Sequence, residues 1–251
     1  TLGSDELRTL LLVVMRNVST DSPWPLSNNP RASFNLPELV ECNLALPLWQ
    51  IVRASTAAPV YFPPEVVQIG EHSFVFVDGG VTMYNNPAFI LFLMATLEPY
   101  KLQWPAGEDK MLLVSVGTGA AAAANANLEP EELNLVYNAS TIPSALMFGA
   151  ANEQDILCRA FGRCRHGASI DLELGSLIGS RGPVEPRLFS YARYNIELSR
   201  KGLDDLGLSH IEPRTVQQLD SIEHMDQLRE VGAAAAKSSV DARRHLAGFL
   251  E

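Results

Sequence analysis

Phe74-Val75-Phe76-Val77-Asp78-Gly79-Gly80 is an apolar run that ends in a carboxylate and two glycines, and Asn85-Asn86-Pro87 opens a second apolar segment soon after it. In an α/β protein this order has a meaning. A buried strand carries a side chain to its C-terminal edge, the glycines turn the backbone with no Cβ in the way, and a helix N-terminus then faces the crevice where ligands sit. Asp78 is the first candidate for chemistry, with Gly79 and Gly80 as the motif that supports it. A plain strand-ending turn also accounts for Asp-Gly-Gly, since both residue types are the usual punctuation there.

The flanking segments extend the same reading. Leu10-Leu11-Leu12-Val13-Val14-Met15 is a near-continuous apolar run of strand length, expected of a central strand covered on both faces. From Trp24 to Asn43 the chain is rich in Pro, Asn and Ser and reads as loop. Pro47 opens a helix over Leu48 to Ser55, which Pro59 must end. Val66 to Ile69 and Ser73 to Val77 flank Gly70-Glu71 as a hairpin. Asn85-Asn86 caps a helix starting at Pro87, with an apolar body from Ala88 to Ala95 that should be buried.

Met111 to Val116 is a second buried strand, and Gly117-Thr118-Gly119 turns the chain out at its end. That triplet lacks the G-x-G-x-x-G and G-K-[ST] patterns, so a tight turn is favoured over a phosphate cradle. An Ala-rich loop follows at 120–127, then an acidic helix start at Glu129 to Glu132. Arg187 to Leu198 alternates as a strand. Leu219, Ile222, Leu228 and Val231 recur at helical spacing between Thr215 and Lys237, and Val240, Leu246 and Phe249 continue in a last amphipathic helix.

Composition narrows the classes of function. With 251 residues and 47% hydrophobic content, one core and one domain suffice. Lys plus Arg number 19 against 29 Asp plus Glu, a formal charge of -10 that argues against nucleic acid as partner. The densest basic stretch, Arg159, Arg163 and Arg165 with His166, reads as a solvated helix end rather than an anion site. Cys42, Cys158 and Cys164 form no CxxC pair, so zinc is unsupported, and idle thiols in a reducing compartment are expected. No apolar stretch reaches the ~20 residues of a membrane span, and no signal peptide is visible. The compartment stays open, with the cytoplasm favoured.

Four features fall in order: the strand near residue 10, the segment Arg53-Ala54-Ser55-Thr56-Ala57-Ala58-Pro59-Val60-Tyr61-Phe62-Pro63-Pro64, then Asp78-Gly79-Gly80 with Asn85-Asn86-Pro87, then Val114 to Gly119. Together they resemble the patatin-like phospholipase family, most specifically from Leu48 to Pro87 and more weakly beyond residue 120. The resemblance implies a three-layer α/β/α fold with a mainly parallel central sheet. It also implies a lipid acyl hydrolase of phospholipase A or esterase type, in which a serine in a G-x-S-x-G elbow attacks the ester and an aspartate is its only side-chain partner. By that resemblance Asp78 is the aspartate, and no cofactor is needed. Its surroundings suit the role, because the sequence around it carries no Lys or Arg between Glu65 and Glu98 and burial would raise its proton affinity.

The chain departs from the family pattern in one respect. Neither G-x-S-x-G nor a Gly-rich oxyanion loop occurs in residues 1 to 251. Gly167-Ala168-Ser169-Ile170-Asp171 lacks the closing glycine, Ser115 lies within a strand, and Ser55 sits on a packing helix. Residues 1–251 are therefore expected to be the C-terminal portion of a single patatin-like domain, with the serine upstream. The expected partners are a lipid or ester substrate, a peripheral membrane surface, and the N-terminal portion or an oligomer that covers exposed apolar edges. A catalytically silent lipid-binding or regulatory relative is the alternative, and a phosphate-binding module using Gly117 and Gly119 is a third.

Overall fold

The structure, a computed structural model, describes residues 1–120 and 135–250, with backbone alone over 135–140. The Ala-rich loop beyond Ala120 and the acidic helix start lie outside the described residues. Two compact units are present, Thr1–Pro105 with Asn138–Asp155, and Ala106–Tyr137 with Ile156–Glu251. Each has its own sheet, and the whole is a mixed α/β fold.

The first unit holds a four-stranded sheet of β1 (Leu12–Asn17), β2 (Ser22–Ser27), β3 (Glu65–Ile69) and β4 (His72–Asp78), in the order β2-β1-β4-β3. β1 is an interior strand, as its apolar run predicts. Every pair in this sheet is antiparallel, however, where a mainly parallel sheet was expected. The start of the segment read as loop is strand β2. Pro23 and Pro25 stand opposite Arg16 and Val14, and because successive residues direct their ladder groups to opposite sides, both prolines turn their missing N–H to the open edge. Proline is tolerated there.

The helix α1 (Leu48–Ser55) packs on β1, β3 and β4, and its Ile51 and Ala54 join Met15, Leu26, Val67 and Phe76 in the core. Trp24 meets Phe76 edge-on at 5.7 Å. Each large aliphatic or Phe side chain buried here contributes about 1.5–3 kcal/mol, so this face holds the unit together. The hairpin closes through Gly70 at φ +59°, a conformation glycine reaches at no steric cost. Helix α2 (Ala88–Thr96) buries Ala88, Ile90, Phe92, Met94 and Ala95, as predicted, and leaves Leu91 exposed.

The second unit holds a parallel sheet of β5 (Leu112–Val116), β6 (Arg163–His166) and β7 (Ser190–Tyr194), in the order β5-β7-β6. β5 is only half buried, one face being uncovered: Leu113 and Ser115 are covered while Val114 and Val116 are exposed. Helix α3 (Leu135–Phe161) contains Pro143 and contributes to both units. The remaining helices are α4 (Arg200–Asp205), α5 (Pro213–Gln217), α6 (Met225–Ser239) and α7 (Ala242–His245). Leu203, Ile211, Val216 and Val231 form the core between α4, α5 and α6. No described helix is long and apolar enough to cross a membrane.

Three expectations for this unit are corrected. The helical stripe from Thr215 is broken between α5 and α6, since the Ser221 hydroxyl donates to the Thr215 carbonyl and competes with the helix for that acceptor. Leu219 and Ile222 are consequently exposed. The last helix is only α7, capped by Asp241 accepting from the Arg244 N–H at 3.1 Å and followed by Gly248 at φ +85°. The basic stretch is not a solvated helix end. Arg159 is buried and donates to the Ala168 and Ser176 carbonyls, Arg163 pairs with Glu108 and Glu185, and Arg165 bonds Ser190 and lies over Phe249. These arginines tie loops to the sheet. Cys158 and Cys164 are buried thiols outside any disulfide.

Candidate active site

β4 brings Asp78 to its last position, opposite Met15 of β1 and on the same sheet face as Phe76. The Asp78 backbone N–H donates to the Ala57 carbonyl at 3.0 Å, which ties the strand end to the segment that follows α1. Its carboxylate Oδ1 accepts from the Gly80 N–H at 2.6 Å and caps the single 3-10 turn Gly79–Val81. Close approach requires a glycine at 79 and leaves little room at 80. A Cβ on Gly79 would stand 2.2 Å from the Val14 carbonyl oxygen, and one on Gly80 would meet Asp78 Oδ1 at 3.0 Å and Asn85 Oδ1 at 3.2 Å.

Burial pushes the Asp78 carboxyl above the ordinary aspartate range, opposed in part by the Gly80 N–H. The charged form loses hydration that one hydrogen bond does not restore, so the group holds a proton more readily than an exposed aspartate. The hydroxyls of this region are committed elsewhere. Ser55 donates to the Val14 carbonyl at 2.6 Å, and Thr82 donates to the Gly79 carbonyl at 2.7 Å. Among the described residues no hydroxyl donates to Asp78. Two cavities of about 420 and 500 Å³ lie elsewhere in the unit, one lined by Leu7, Arg8, Asn28 and Pro30 and the other by Phe34, Val40, Glu71 and His72. Neither touches Asp78.

Asp78, Gly79 and Gly80 thus come together in one turn. The Gly80 N–H is engaged by Asp78, so within this arrangement it orients the carboxylate. Asn85 and Asn86 divide their work: Asn86 Oδ1 accepts from the Ala88 N–H at 3.3 Å at the start of α2, while Asn85 Nδ2 donates to the Met147 carbonyl at 3.0 Å. Met147 Cε also lies near Gly80. The part played by Asn85 and Met147 has no local sequence signal, because they are 62 positions apart. The Gly117 N–H donates to the Tyr194 carbonyl and the Gly119 N–H to Asn195 Oδ1, so those two glycines form a tight turn whose donors are already used.

The family model described as patatin-like phospholipase matches residues 7–92, a segment that includes β1 to β4, α1, the Asp78 turn and the start of α2. The match supports the patatin-like family, and lipid acyl hydrolysis is the activity which that family suggests. Comparison with curated proteins yields no match.

Proposed function

We propose that this chain, patatin-like phospholipase sequence over residues 7–92, carries the general base of a lipid acyl hydrolase. Asp78 takes the proton from a serine hydroxyl as that oxygen attacks the carboxylic ester of a phospholipid or a simpler ester. The proton then passes to the departing alcohol, and water repeats the sequence on the acyl-enzyme. The observation that carries this reading is a half-buried carboxylate of raised proton affinity, held by the Gly80 N–H at a strand end inside the matched segment.

The serine and the N–H donors for the oxyanion would come from polypeptide outside residues 1–251, since neither motif occurs within them. That polypeptide would complete a three-layer α/β/α domain of which these residues are the C-terminal portion. The test joins residues 1–251 to the sequence encoded upstream and follows hydrolysis of a short-chain aryl ester. Asp78→Asn should lower turnover about 10²–10⁴-fold, and a fluorophosphonate should label a serine outside residues 1–251. Near-parental turnover in Asp78→Asn would remove Asp78 from the mechanism.

The absence of a hydroxyl donor to Asp78 among the described residues also supports a second reading, a catalytically silent lipid-binding relative. An upstream sequence without G-x-S-x-G would decide for it.

A further inference from the structure

The outer face of α1 and the loop after it form one exposed apolar surface. Trp49 and Val52 point outward from the helix, Val60 is fully exposed, and Tyr61 and Phe62 are about half exposed. Arg53 joins the two parts, its guanidinium 5.7 Å from the Phe62 ring centroid and its Nη2 donating to the Pro63 carbonyl at 2.9 Å. Val60 has φ +78°. A β-branched residue pays for that left-handed conformation, and a side chain this exposed recovers nothing by packing within the chain.

Charge narrows the occupant. From Cys42 to Pro64 the chain has no Asp or Glu and one cation, Arg53, although acidic residues outnumber basic ones 29 to 19 overall. The Arg53 Nη1 is enclosed, so this guanidinium anchors the loop through Pro63 and Phe62 rather than reaching outward. Aromatic rings with a polar edge settle at the headgroup level of a bilayer, and a segment without carboxylates does not repel phosphate. The surface is also bound to the candidate site, because the Ala57 carbonyl that accepts from the Asp78 N–H lies three residues before Val60.

We propose that Trp49, Val52 and the Val60-Tyr61-Phe62 loop form the surface by which this protein docks on a phospholipid bilayer. The proposal rests on the lipid acyl hydrolase reading for its purpose, since it seats the Asp78 turn against the layer that holds the ester. Its physical content is separate from catalysis.

Flotation of the full chain with vesicles of equimolar phosphatidylcholine and phosphatidylglycerol tests it. The parent should float with the vesicles. Val60→Asp should reduce vesicle partition at least about ten-fold while melting no lower than the parent, because Asp accepts a left-handed φ more readily than Val. Tyr61→Ser with Phe62→Ser should lose flotation likewise, with an unchanged circular dichroism spectrum. A parent that stays with the lipid-free fraction, or a Val60→Asp variant that floats like the parent, overturns the proposal. So does light scattering that shows a dimer dispersed by Val60→Asp, which would assign the face to a second copy. Asp78→Asn should float like the parent, so failure of docking and failure of the hydrolase reading are read separately.

Discussion

The Ser55 hydroxyl donates to the carbonyl oxygen of Val14 at 2.6 Å, which fastens the end of α1 to the middle of β1. A hydroxyl held this way is a structural donor. Ser55→Ala should lower stability by about 1 kcal/mol, read from the urea midpoint, and leave fluorophosphonate labelling of the assembled enzyme unchanged. A phosphonyl adduct on Ser55 would contradict the assignment.

The same Val14 carbonyl crowds Gly79. Because a Cβ there would stand 2.2 Å from a backbone oxygen, Gly79→Ala must displace β1 or the turn and should cost about 1–3 kcal/mol. Denaturant unfolding measures it. A midpoint equal to that of the parent would mean that the approach is not tight in solution.

Asp78 holds its proton more tightly in the fold than in the unfolded chain, and the sign of its pH dependence follows. Its carboxyl titrates above the ordinary aspartate value, so as pH rises from that value through the folded one, the unfolded chain ionises first and stability falls. Asp78→Asn removes this fall and can still accept from the Gly80 N–H. The melting temperature of the variant relative to the parent should increase between about pH 3.5 and about pH 7. A difference that does not change with pH would show that Asp78 is not desolvated.

The second unit should be sensitive to acid. His166 stacks on His245 at 4.1 Å, beside Tyr194, whose hydroxyl is 2.9 Å from His245 Nδ1. Burial first, and then His245, Arg159 and Arg244, lower the proton affinity of His166. The unfolded chain therefore binds the proton more tightly, and stability is lost as pH falls below the ordinary histidine value, levelling off below the folded one. His166→Phe should flatten that limb of the stability profile. An equal loss in parent and variant between about pH 7 and about pH 5 would place the acid sensitivity elsewhere.

Much of the first unit is written in local rules. Pro47 and Pro59 bound α1, Gly70-Glu71 closes the β3–β4 hairpin, and Asn86 with Pro87 begins α2, each within a few residues of its signal. Asp78 at the end of β4 was legible for the same reason. Its raised proton affinity was also anticipated, because the sequence around it holds no cation.

The sequence by itself determined where helices and the hairpin begin and end and which carboxylate closes β4, since backbone sterics and capping act over short spans. Only the tertiary structure decided that β2 is a proline-bearing edge strand, that β5 is exposed on one face, that Arg159 is buried, and that Asn85 reaches Met147. Each of these depends on which distant segment arrives as neighbour, and a pairing across the chain leaves no mark on the periodicity of either partner.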